Sequence, residues 1–313
     1  MQLSLTKSEK KAERKKQWGH VKRYKGLLFM MLLPVIYYGI FCYWPMYGAL
    51  IGFFDFNARL GLYGSKWLGL KWFVNYLGDT YFWKLVRNTI VLNLWGLVIG
   101  FPAPIIFALL LNELRNETFK RVAQTICYLP HFISTVVVCG LVINFLAVSG
   151  PINNIIERLG GNKEALMMRP DLFRMIYTFS GVWQGLGWGS IIYMAALTNV
   201  DVQLYEAAVL DGANRWQQII HITIPSIMNT IVIMLILNLG NMMSIGYEKV
   251  MLLYNGSTYE TADVISTYVF RRGIQGGDLS YSTAVGLFQS VINLAFLCGS
   301  NALSRHYTET SLW

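Results

Sequence analysis

Charge is scarce in this 313-residue chain: Asp, Glu, Lys and Arg make up 14% of it, against 54% hydrophobic residues and a mean hydropathy of +0.42. A water-facing surface cannot be covered from that supply, which excludes a soluble globular protein. No G-x-x-x-x-G-K-[ST] phosphate loop occurs, so ATP binding in the P-loop manner is excluded as well. The four cysteines, Cys42, Cys127, Cys139 and Cys298, form no C-x-x-C pair, and His20, His131, His221 and His306 are scattered. Neither a zinc site nor a haem attachment is supported, and the cysteines read as small core hydrophobes. His131, next to Pro130, reads as a packed or hydrogen-bonded side chain in preference to a proton carrier. No low-complexity segment is present, and the first apolar run is too long, and too poor in small residues at its end, for a cleaved secretory signal.

What the chain has instead is long apolar runs. Crossing the hydrocarbon takes roughly 20 apolar residues as a helix. Six runs free of Asp, Glu, Lys and Arg meet that length, at approximately 26–54, 88–112, 122–148, 175–200, 226–247 and 282–304. Backbone groups in lipid must be bonded internally, and the runs lack the alternation of barrel strands, so the expected fold class is all-α: a polytopic membrane protein of six transmembrane helices. Prolines 34, 45, 102, 104 and 130 fall inside these runs, where they predict kinks. An ionisable group kept near the midplane marks many proton-coupled carriers, and none of the six runs holds a carboxylate, Lys or Arg. The energy for any transport must therefore come from elsewhere.

The net charge of +9 is concentrated at one end. Residues 1–25 hold nine Lys and Arg against Glu9 and Glu13, a net +7, which reads as a basic cytoplasmic arm held at anionic lipid, not as a nucleic-acid site. The arm 1–25 precedes a transmembrane domain at 26–313. With the amino terminus inside, six spans return the carboxyl terminus inside and place the loop with Arg115, Lys120 and Arg121 on the cytoplasmic side, together with segment 201–225. The outer segments 149–174 and 248–281 read as mixed polar loops, and 55–87, with Trp67, Trp72, Trp83 and several tyrosines, as an interfacial helix.

Segment 201–225 is unlike its surroundings. Asp201 suits the N-cap of a short helix over Val202–Leu210, and Gly212 stands where a left-handed residue would end it. Ala207 and Ala208 permit close approach, Glu206 offers one charged handle, and a second amphipathic helix follows through Trp216 and Ile219 to Pro225. The order Glu206-Ala207-Ala208, three residues including Asp211, Gly212-Ala213, then Ile222-x-Ile224-Pro225, resembles the signature of permease subunits in binding-protein-dependent ABC importers, with Ile224 where Leu is usual. Asn112-Glu113, Tyr128-Leu129-Pro130-His131-Phe132-Ile133-Ser134, Arg215-Trp216-Gln217-Gln218-Ile219 and Ser311-Leu312-Trp313 resemble the carbohydrate permeases of the LplB type, so the likeness covers nearly the whole chain from about Lys25.

The resemblance implies the type I importer permease fold in the cytoplasmic membrane, no catalytic activity, metal or cofactor of the chain's own, and ATP and Mg held by a separate ATPase. It implies that Glu206, Ala207, Ala208, Asp211, Gly212, Ala213, Ile222 and Pro225 couple to that ATPase dimer. A second homologous permease and an external solute-binding protein complete the implied complex, and the implied cargo is an oligosaccharide, sometimes one containing uronic acid. Sugars present apolar ring faces and hydroxyls, so a sugar path should mix aromatics with amides. Trp183, Gln184 and Trp188 in the fourth run, Asn238 and Asn241 in the fifth and Gln289 and Asn293 in the sixth fit that expectation, the pairs three or four apart sharing a helix face. Packing of neighbouring helices is the other reading of the same residues. Import of another solute is the alternative function, with an integral membrane enzyme of glycan or lipid metabolism behind it.

Overall fold

The computed structural model describes residues 24–308 and 311–312; the basic arm up to Arg23, and Trp313, lie outside the described residues. Most of it is helical, with thirteen main helices among the described residues. In chain order they are α1 (Lys25–Phe53), α2 (Lys71–Leu77), α3 (Phe82–Asn112), α4 (Glu117–Tyr128), α5 (Thr135–Leu146), α6 (Pro151–Arg158), α7 (Pro170–Leu197), α8 (Val202–Leu210), α9 (Arg215–Ser226), α10 (Met228–Leu239), α11 (Tyr247–Leu253), α12 (Ile265–Phe270) and α13 (Leu279–Thr308). In place of a lone interfacial helix, segment 55–87 carries a two-stranded antiparallel ladder, β1 (Phe54–Asp55) on β2 (Lys66–Trp67), followed by α2.

Four stretches are long and apolar enough to cross a bilayer: α1, α3, the Thr135–Arg158 stretch holding α5 and α6, and α13. The pair α9 and α10 makes a fifth if counted as one span, bent by 62°. Two of the six expected spans take a different form. The run 122–148 is broken, because Pro130 has no amide hydrogen with which to continue α4; a tight turn occupies Leu129–Phe132, and Ser134 opens α5 by accepting from the Val137 amide. The run 175–200 forms α7, which at 28 residues is long enough, but its Gly, Trp, Gln and Ser content leaves it outside the strongly apolar group.

Prolines also rewind the helices. Wide π turns at Tyr38–Tyr43, Gly96–Gly100 and Ile219–Thr223 each stand just before a proline, namely Pro45, Pro102 and Pro225. A proline cannot donate to the carbonyl four residues back and its ring crowds that carbonyl, so a lengthened turn lets the helix continue.

Burial follows the solvent that each helix meets. Between Lys25 and Tyr43, α1 buries no residue, and Phe29, Met30, Leu33 and Phe41 point outward, as a lipid-facing surface requires. Its far end lies against α13, where a Cβ on Gly52 would come within 3.0 Å of the Ala284 amide nitrogen. The core is three clusters strung along α3: Phe82 and Leu85 meet Ile265, Tyr281 and Val285; Leu92 meets Cys139, Phe173 and Val250; Ala108 meets Tyr193, Leu197 and Ile227. Of the cysteines only Cys139 joins this core, while Cys42 and Cys298 are exposed on apolar helices, which corrects the expectation of four core thiols.

The segment 248–281 is not an open loop. Val250, Leu253, Ala262, Val264 and Ile265 are all buried. Asp263, whose side chain is 2% exposed, is held by Arg271 through two contacts of 2.6 and 2.8 Å and accepts a 2.7 Å bond from the Thr267 hydroxyl. A buried carboxylate survives only with its charge met and its lone pairs filled, and both conditions hold here. Asn88 on α3 ties the same region down, donating to the Glu260 and Asp263 carbonyls at 2.8 and 3.0 Å.

Candidate functional site

Two places stand out as candidate sites: a hairpin at α8–α9 and a groove between α3, α7 and α10. The hairpin starts where Asp201 accepts from the Gln203 amide at 2.9 Å, the expected N-cap. It closes through Gly212, whose φ is +78°. The Ala213 amide donates to the Ala208 carbonyl at 2.8 Å and the Gly212 amide to the Val209 carbonyl at 3.1 Å, which is the bonding of a Schellman motif. No atom lies within 4 Å of where a Gly212 Cβ would stand, so glycine is required there by backbone conformation and not by crowding.

The return helix is secured at both ends. Asn214 and Gln217 exchange bonds of 3.0 and 2.7 Å in a capping box, and the Tyr205 hydroxyl meets the Thr223 hydroxyl at 2.9 Å, pinning α8 to α9. An open hollow of about 300 Å³ lies over Ala208, Asp211, Gly212, Ala213 and Ile222. Around it Leu210 and Trp216 are 88% and 73% exposed, and Val202, Val209 and Ile220 are exposed too. Glu206 is exposed beside them, and Pro225 closes α9. Of the residues expected to couple to an ATPase, Ala208, Asp211, Gly212, Ala213 and Ile222 line this hollow together, while Glu206, Ala207 and Pro225 lie exposed on α8 and α9. Asp201→Ala is expected to weaken the start of α8 by about 1 kcal/mol, seen as roughly fivefold faster hydrogen exchange at the Gln203 and Leu204 amides.

The groove consists of two adjoining hollows that share Gly96, Gly100 and Pro104 of α3. One, of about 250 Å³, is completed by Tyr177, Thr178, Gly181, Gly185 and Lys249; the other, of about 270 Å³, by Asn93, Tyr193, Asn238 and Met242. The π turn at Gly96–Gly100 supplies their common floor as backbone, because its two ends carry no side chain. Lys249, at the start of α11, donates to the Tyr177 carbonyl at 3.1 Å and stands 4.8 Å from the centre of the Tyr177 ring. Burial pushes its ammonium down to about 8.

Of the expected path residues, only Asn238 lines these hollows. Trp188 stacks on His131 with rings 4.5 Å apart, the packing role expected for that histidine, and Gln184 donates to the Ile133 carbonyl at 3.2 Å. Gln289 donates to the Met243 carbonyl at 2.7 Å, while Asn293 accepts from the Met243 amide at 2.8 Å and donates to the Ser244 hydroxyl at 2.7 Å. Those two amides tie α13 to the turn after α10. Asn241 bonds the Leu237 carbonyl within its own chain segment, and Trp183 is half-exposed on α7. The groove residues that escaped the sequence reading include Asn93, Tyr177, Thr178, Tyr193 and Lys249. The glycines at 96, 100, 181, 185 and 189 were their visible signal, since small residues mark where helices approach or leave room.

Membrane helices that leave a groove between them and carry a capped hairpin beyond their ends suit a transport permease. The chain belongs to the family of binding-protein-dependent transport system inner membrane components, which matches residues 100–308. It is 42% identical to the polygalacturonan/rhamnogalacturonan transport system permease protein YteP of Bacillus subtilis (strain 168) over 97% of this chain and 95% of that one. It is 40% identical to Protein LplB of the same organism over 94% and 92%. Among solved structures it is similar to a chain of a bacterial alginate ABC transporter in complex with an alginate pentasaccharide-bound periplasmic protein, with a TM-score of 0.86 and 39% identity over 94% of this chain and 99% of that one.

Proposed function

We propose that this chain is one of two homologous permease subunits of an ATP-driven importer that brings an oligosaccharide into the cytoplasm by alternating access. The observation that carries the reading is the hairpin: a Schellman-closed, doubly capped turn that presents Leu210 and Trp216 to the outside has no purpose within the chain and fits a partner that pushes on it. The partner is an ATPase dimer, which holds the ATP and Mg. Glu206, Ala207, Ala208, Asp211, Gly212, Ala213, Ile222 and Pro225 form the surface it grips.

An external solute-binding protein delivers the sugar at the opposite face, both termini lie in the cytoplasm, and α7 completes a set of six crossings. The names of the relatives support a saccharide cargo. So does a groove that combines the amides of Asn93 and Asn238 with the rings of Tyr177 and Tyr193. Around it, Gln184, Trp188, Gln289 and Asn293 act by holding the helices that frame the path.

The purified chain alone is expected to hydrolyse no ATP, and turnover coupled to sugar uptake should appear when the ATPase, the second permease and the binding protein are reconstituted with it. ATP hydrolysis by the homogeneous single chain, or uptake without ATP, would refute the assignment.

A further inference from the structure

The hollow between α3, α7 and α11 holds two polar groups whose bonding is unfinished. Thr178, 5% exposed, lines it, and its hydroxyl meets no hydrogen-bond partner among the described residues. A buried hydroxyl left unbonded in a permanently closed core is costly, so its position at a cavity wall points to a partner that comes and goes. Lys249 lines the same hollow. Its ammonium has three donors, of which the Tyr177 carbonyl takes one, and none of the ion pairs among the described residues includes it.

Space has been left for this cation. A Cβ on Gly181 would lie 3.2 Å from the Lys249 Nζ, so glycine at 181 lets the ammonium reach the hollow. Arg174, one turn back along the same face of α7, is also outside every ion pair among the described residues, and its Nε is buried without a partner. The hollow's lining contains no carboxylate. A partly buried cation with no counter-charge, beside a free hydroxyl, is complementary to one ligand class above others: an oxyanion that fills both donors.

We infer that Lys249 and Thr178 form a carboxylate-reading subsite in the translocation groove, which takes the uronate group of an acidic oligosaccharide as it passes α7. Thr178 donates its hydroxyl to one carboxylate oxygen, Lys249 donates to the other, and Gly96, Gly100 and Gly185 leave width for the ring. This rests on the proposed sugar import and narrows its cargo to acidic saccharides.

The test uses the complete complex, with its second permease and ATPase, in nanodiscs without the binding protein. Trigalacturonate and neutral galactotriose are titrated against it, and uptake of both is measured separately in proteoliposomes with the binding protein present. Wild type is expected to bind trigalacturonate about tenfold more tightly than galactotriose, and Lys249→Met to abolish that preference with galactotriose unchanged. Thr178→Val should lower the preference and Thr178→Ser restore it, which packing alone would not do. The valine and serine pair carries the same comparison if Lys249→Met fails to assemble. Equal affinity for both sugars in wild type, or an undiminished preference in Lys249→Met and Thr178→Val, overturns the inference. Absence of ATP-dependent uptake of any saccharide by wild type strikes instead at the proposed function.

Discussion

Gly187→Val is expected to destabilise the packing of the membrane domain severely. Gly187 sits where α7 crosses α4, and a Cβ there would lie 2.5 Å from the Cys127 carbonyl carbon and 2.6 Å from the Tyr128 ring. Backbone cannot swing aside as a flexible side chain can, so the helices must separate, at a cost of about 3 kcal/mol or more. The loss spreads, because α7 also carries Phe173, Tyr193 and Leu197, which hold two of the three core clusters. Yield of monodisperse protein in detergent and its melting temperature are the measurements. Gly299→Ala, at an exposed α13 position with nothing within 4 Å, is the control and should match wild type. A valine variant with wild-type yield and melting temperature would show that the α4–α7 crossing is looser than described.

Combining Glu206→Ala with Gly212→Val is expected to leave the domain folded and to abolish coupled uptake. Valine at φ +78° is strained by about 1 kcal/mol or more, which opens the Ala213 to Ala208 bond and frees the turn. Neither position belongs to a core cluster, so the spans should be untouched. Co-purification of the ATPase, ATP turnover and uptake in proteoliposomes should separate: less ATPase retained, or turnover without transport. Full ATPase retention together with full uptake would remove the hairpin from the coupling path.

The hairpin was legible because its determinants are local. A cap at Asp201, a helix to Leu210 and a left-handed Gly212 depend on residues a few positions apart, and the structure places each of them as read. The groove was not, because it depends on distant parts of the chain. Lys249 looked like a loop residue just past the fifth apolar run, and only the folding of 248–281 into the core brings it to Tyr177, 72 positions earlier. Gln289 and Asn293 had the right spacing for a shared face, but spacing does not reveal that the face meets Met243 and Ser244. The break at Pro130 was announced by the proline itself, yet an apolar run on either side reads as one span when only composition is counted.

The bend between α9 and α10 turns the hairpin into a crank. Each arm is a dozen residues, about 18 Å at helical rise, and they meet at 62° over Ile227. Ile227 is 1% exposed and held by Ala108, Tyr193 and Leu197, so the elbow is seated in a bearing made by α3 and α7. A rigid crank with equal arms has a mechanical advantage near one. Were the elbow to keep its angle as α9 moves, arms of equal length would return a displacement at Trp216 as one of similar size at Asn238, at the wall of the groove.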